Sequence, residues 1–119
     1  MAAAHAVLDV IDDEGLEARA VQLGARLTRR LLDLTERSAR IADVRGPGSM
    51  VAVEFVDPRS GEPDADYTKR VQAAALERGL ILLVCGVHGN VIRFLHPLTI
   101  EDEVFDEALD ILDAAVLAA

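Results

Sequence analysis

The segment Gly79–Ile100, GLILLVCGVHGNVIRFLHPLTI, constrains the fold more than any other part of the chain. Leu80–Val84 is an unbroken apolar run of the length of a buried strand. Cys85-Gly86-Val87-His88-Gly89-Asn90 supplies two glycines and an asparagine, which is turn chemistry. Val91–Leu95 is apolar again apart from Arg93, and Pro97 stops the run. So short a connection between two strands closes only as an antiparallel hairpin, so any sheet built around it contains antiparallel pairs. Arg93 is the one locally costly residue in this segment. A guanidinium taken out of water needs an anion beside it, and the identity of that anion is the functional question.

Periodicity organises the rest. Ala2–Asp13 is expected as a helix, with Val7 and Ile11 stacked and Leu8 beside them, and Gly15 breaks it. A longer helix is expected from Leu16 to about Arg40, with Leu16, Ala20, Leu23, Leu27, Leu31 and Leu34 on one face. Gly24 inside it costs ~1 kcal/mol relative to alanine. Ile41–Arg45 is extended, Gly46-Pro47-Gly48 turns, and Met50–Val56 is a strand with Val51, Val53 and Phe55 on one side. The polar loop Asp57–Pro63 leads to a helix capped by Asp64 or Asp66 and running to Arg78, with Tyr67, Val71, Ala74 and Ala75 inward and Gly79 just past its end. A last helix is expected from Ile100 to about Leu117, capped by Thr99 with Asp102 as a shortened capping box, and striped by Val104, Ala108, Ile111 and Ala115 with Phe105, Leu109 and Leu112 beside them. The expected fold is α+β: a small antiparallel sheet with helices packed on one side, in a single domain over residues 1–119.

Composition narrows the function. A formal net charge of −9 disfavours nucleic acid, whose phosphates attract a basic face. No basic amphipathic helix suggests a membrane surface, and no apolar run approaches the ~20 residues that span a bilayer. The N-terminus lacks a basic stretch before its apolar residues, which does not read as a secretory signal. The single cysteine, Cys85, excludes an internal disulfide and fits a reducing, cytoplasmic setting. Lys69 is the only lysine, so chemistry that needs an amine must use it or find one elsewhere.

Two readings of Arg93 stand on the residues alone: a structural ion pair with Glu54 across the sheet, or a receptor for a carboxylate or phosphate, whose oxygens match the guanidinium fork. His5, His88 and His96 have no metal-ligand spacing with Cys85, so no metal is expected. His88 reads as a solvated turn residue and Cys85 as an inert thiol. Glu101, Asp102, Glu103, Asp106, Glu107, Asp110 and Asp113 read as a solvated helix face. Lys69 lies on a surface helix with nothing to desolvate it, as a nucleophilic lysine requires.

The segment around the hairpin, with its apolar strand, Cys-Gly, Gly-Asn-Val-Ile-Arg-Phe and Pro-Leu-Thr-Ile stop, resembles the C-terminal part of class III pyridoxal-phosphate aminotransferases, most closely the 4-aminobutyrate aminotransferase branch. Ala6–Gly15, Val44-Arg45-Gly46 with Gly48 and Met50, and the loop around Gly61 resemble the same family in the same order. The resemblance implies the small C-terminal domain of a larger enzyme whose cofactor domain lies upstream. It implies a homodimer when full-length, an amino group moved from 4-aminobutyrate or a similar ω-amino acid to 2-oxoglutarate, and Arg93 as the residue that binds the substrate carboxylate. The family's cofactor-bearing lysine has no counterpart among these residues, so no catalytic or cofactor-binding residue and no activity are expected of the 119-residue chain alone. His96 stands where the family usually has proline, and Val87-His88 where an aromatic residue is frequent. Two alternatives stay open: a non-catalytic carboxylate-binding or partner-binding module, and a sibling ornithine or acetylornithine aminotransferase.

Overall fold

A computed structural model of the protein describes residues 1–119. The elements are α1 (Ala2–Asp13), α2 (Leu16–Arg37), β1 (Ile41–Arg45), β2 (Ala52–Phe55), α3 (Ala65–Glu77), β3 (Leu83–Cys85), β4 (Val91–Arg93) and α4 (Asp102–Ala118). The order matches the periodicity in the sequence. The four strands form one antiparallel sheet in the order β1-β2-β4-β3. The hairpin pairs as expected, Cys85 with Val91, Val84 with Ile92 and Leu83 with Arg93.

Helices cover one face of this sheet. Val53, Phe55 and Ile92 point into it and are fully buried, and they join Leu23, Leu27, Leu31 and Leu34 of α2 in a single core. Each such leucine stabilises the fold by ~1.5–3 kcal/mol through the apolar surface it removes from water. Tyr67 and Val71 of α3 and Phe105, Leu109, Leu112, Ala115 and Val116 of α4 close the same core. The Tyr67 hydroxyl donates to the Val116 carbonyl at 2.6 Å, tying α3 to the end of α4, and burial pushes its phenol above the usual value. Asp64 caps α3 by accepting from the Tyr67 amide at 2.8 Å.

Several expectations are corrected. α2 stops at Arg37 because Ser38 is extended, with φ −143° and ψ 111°. Leu80–Val84 is not one buried strand: only Leu83–Cys85 pairs, while Ile81 and Leu83 are 77% and 50% exposed. The reason is that β3 is an edge strand of a sheet whose second face carries no helix. β4 ends at Arg93, although the Phe94 amide still donates to the Val51 carbonyl at 2.9 Å. Along α4 the expected stripe keeps Ala115 buried but leaves Val104 48% exposed, and Phe105, Leu109 and Leu112, expected beside it, carry the inward face. Buried residues are absent from α1, whose Val7 and Leu8 are each 59% exposed. Thr99 does not cap α4; the cap position is Glu101, and no side chain bonds there.

Asp102, read from sequence as part of that cap, is taken by α2 instead. Arg19 and Arg26 approach it at 2.9 and 2.7 Å. Arg26 also pairs with Asp106, and Arg30 reaches Asp110 at 2.8 Å and Asp113 at 3.0 Å. The acids of α4 are therefore not simply a solvated face. Four of them, Asp102, Asp106, Asp110 and Asp113, form a ladder with arginines of a helix that runs alongside in the same direction. Exposed pairs of this kind each contribute little, so the ladder acts mainly on the register of the two helices. Hydrogen bonds from Arg19 and then Arg26 hold the Asp102 carboxyl below its ordinary value. A carboxyl lowered on folding stabilises the fold above its unfolded pKa, and that contribution disappears as pH falls through the folded value. Asp102→Asn is therefore expected to lower the melting temperature slightly at pH 7, with the gap to the parent protein closing as pH falls below the ordinary carboxylate range. Melting curves across that range check it; a gap independent of pH would detach the effect from this carboxyl.

Candidate anion site on the open face of the sheet

Alternation along the strands places a second set of side chains on the face without helices. Two rows follow from the register. One runs Arg45, Ala52, Arg93, Leu83 across β1, β2, β4 and β3; the next runs Asp43, Glu54, Val91, Cys85. Val91 is covered by the hairpin turn, which packs Gly86 against it, and is 7% exposed.

Arg93 is exposed on this face. That corrects the expectation of a guanidinium enclosed among aliphatic neighbours: Ile92 and Phe94 take the core side, and alternation leaves Arg93 on the side that nothing in this chain covers. The cross-strand ion pair with Glu54 is not formed. The Arg93 guanidinium makes no hydrogen bond or salt bridge, whereas Glu54 accepts from Arg45 Nη1 at 3.0 Å and from Asn90 Nδ2 at 3.4 Å. Arg45 also holds Asp43 at 2.6 Å. Asn90 is 2% exposed and is anchored by a second bond from Nδ2 to the Phe55 carbonyl at 2.9 Å. In sequence Asn90 reads only as a turn residue; its buried amide and the two acids around Arg45 were not legible there, because both depend on which strands are neighbours.

At the end of the sheet, opening between Arg93 and the helix-covered side, lies a groove of about 420 Å³ bounded by the segments 80–83 and 93–97, Leu27 of α2 and helix α4. Its wall is apolar except for Arg93 and His96. Grooves of that volume suit small organic ligands, which bind through apolar contact with a few polar anchors. His96 is half-buried with its ring edge-on to Phe105 at 4.9 Å between centroids, and its Nε2 is buried without a partner. The other sequence candidates are dispersed. His88 is exposed in the turn, Cys85 is a half-buried free thiol, and His5 is exposed on α1. No three His, Cys, Asp or Glu side chains converge as a metal would require. No helix is long and apolar enough to cross a membrane.

An unpaired guanidinium beside an apolar groove can orient a small carboxylate, and comparison with known proteins says in which setting. The family model described as aminotransferase class-III matches residues 1–116. This chain belongs to that family. A 4-aminobutyrate aminotransferase of Mycobacterium leprae is 50% identical over 93% of the chain and 25% of its own length. A phospholyase from Arthrobacter, solved in complex with phosphoethanolamine, superposes with a TM-score of 0.88 at 31% identity over 96% of the chain and 27% of that protein. An amine transaminase from an uncultivated Pseudomonas species, solved in its PLP-bound form, gives 0.82 at 34% identity over 98% and 27%. The chain thus spans about a quarter of the length of the class III relatives it matches, and it matches their C-terminal part.

Class III aminotransferases depend on pyridoxal phosphate. The residues present here do not fit that group by themselves. Lys69 is exposed on the solvent side of α3, so no desolvated amine is available for the cofactor's aldehyde. Arg93 is a single fork, not a cradle of amides and hydroxyls for a phosphate.

Proposed function

We propose that residues 1–119 are the small C-terminal domain of a homodimeric transaminase. The whole enzyme moves an amino group from 4-aminobutyrate, or an ω-amino acid of similar length, to 2-oxoglutarate. In this reading Arg93 holds the substrate carboxylate through two parallel N–H···O bonds and so fixes where the reacting carbon lies. The observation that carries it is that Arg93, the exposed cation of β4, has no anion of its own, in a chain half of whose residues are identical to a 4-aminobutyrate aminotransferase over nearly its full extent. Domain burial against the upstream part of the enzyme would exclude water from the open face and strengthen the pairing. The cofactor and the groups that act on it belong to that upstream part, and the 119 residues alone are inactive.

The reading is tested in two ways. The whole enzyme given 4-aminobutyrate and 2-oxoglutarate should form glutamate; no glutamate from any four- or five-carbon ω-amino acid would overturn it. The isolated chain, mixed with pyridoxal phosphate and reduced with borohydride, should carry no stoichiometric adduct on Lys69 by mass spectrometry. A full adduct there would mean that the domain holds the cofactor itself.

A further inference from the structure

We infer that Arg45 and Glu54 set the affinity of the anion site by keeping Arg93 uncompensated. This inference rests on the reading of Arg93 as the carboxylate receptor. Arg45 and Arg93 stand in the same row on either side of Ala52, so Glu54 in the next row is diagonal to both. Diagonal positions on an antiparallel sheet lie within reach of long side chains. Glu54 therefore has two arginines to choose between, and its two oxygens are committed away from Arg93. Arg45 Nη1 holds Oε2 at 3.0 Å, and Asn90 Nδ2 holds Oε1 at 3.4 Å.

The two retaining groups differ in kind. Asn90 is a fixed post, buried and tied to the Phe55 carbonyl. Arg45 is a half-exposed charge that gathers both acids of the row, Asp43 as well as Glu54. Ala52, between the arginines, offers only a methyl group and no polar atom to either of them. Without Arg45, the cation left to Glu54 on this face is Arg93. A carboxylate tethered in the same sheet competes with a diffusing one at a high effective concentration, so the site would be closed from within. Arg45 and Glu54 are thus positioning residues that determine how well the site takes any carboxylate substrate.

The test uses the whole enzyme, with glutarate as the binding probe by titration calorimetry and 2-oxoglutarate as the kinetic substrate. Arg45→Ala should weaken glutarate binding and raise the KM for 2-oxoglutarate about tenfold, with kcat within about twofold of the parent. Adding Glu54→Gln to that variant should bring both values back to within about twofold, because the competitor is gone. The inference is overturned if Arg45→Ala changes neither value. It is also overturned if the double variant stays as weak as the single one, since Arg45 would then act by its own charge. Arg93→Ala is measured alongside. If that variant keeps the parent's glutarate affinity, the receptor reading falls and takes this inference with it; if it loses affinity while Arg45→Ala does not, only the present inference falls.

Discussion

Arg93→Ala is expected to lower kcat/KM for 2-oxoglutarate about a hundredfold in the whole enzyme while the cofactor stays bound. Two charge-assisted hydrogen bonds to one carboxylate, in a site from which water is excluded, amount to ~3 kcal/mol between them. At 1.36 kcal/mol per decade that is about two decades in rate. Arg93→Lys should fall between, because lysine keeps the charge and loses the fork. The fold should be indifferent to either change, since the Arg93 side chain is exposed and bonds to nothing within the chain. A melting temperature that drops with the activity would mark Arg93 as structural, and unchanged kinetics would remove it from the site. Cofactor absorbance separates these outcomes from simple loss of the holoenzyme.

Gly24→Ala is expected to destabilise the protein by ~3 kcal/mol, at the upper end of what an added methyl group does to a packed interior. Helix propensity alone gives the opposite sign, since alanine is favoured over glycine by ~1 kcal/mol in a helix interior. The structure decides the matter. A Cβ at Gly24 would overlap the carbonyl oxygen and carbon of Gly48, which are backbone atoms of the Gly46-Pro47-Gly48 turn. That turn cannot yield easily: Gly46 has φ +136° and is itself pressed against Met50, and Gly48 has φ +55°. The turn also delivers the chain into β2, so displacing it disturbs Val51, which is fully buried. Thermal and denaturant melts measure the loss. A variant as stable as the parent, or more so, would show that α2 and the turn can separate at no cost.

Most of the architecture was legible because it is written in local periods. The three-four spacing of Leu23, Leu27, Leu31 and Leu34 and the alternation of Val51, Val53 and Phe55 each specify an element and its buried side without reference to any other part of the chain. Asp64 and Gly79 bound α3 from their own chemistry. The exposure of Ile81 and Leu83 is not legible in sequence because an apolar run has no period to show which side is covered. The pairing of the α4 aspartates is not legible in sequence because their partners lie some 80 residues away in the chain, Arg26 bonding Asp106 and Arg30 bonding Asp110.

The sequence by itself determined the α+β class, the antiparallel hairpin and the aminotransferase resemblance, since each depends on residues close together in the chain. Only the tertiary structure decided that Arg93 faces out from the uncovered side of the sheet, that Glu54 turns to Arg45 and Asn90 instead, and that Gly24 is required by a distant carbonyl. Strand order and helix cover place these groups beside one another, and neither is encoded in the spacing of neighbouring residues.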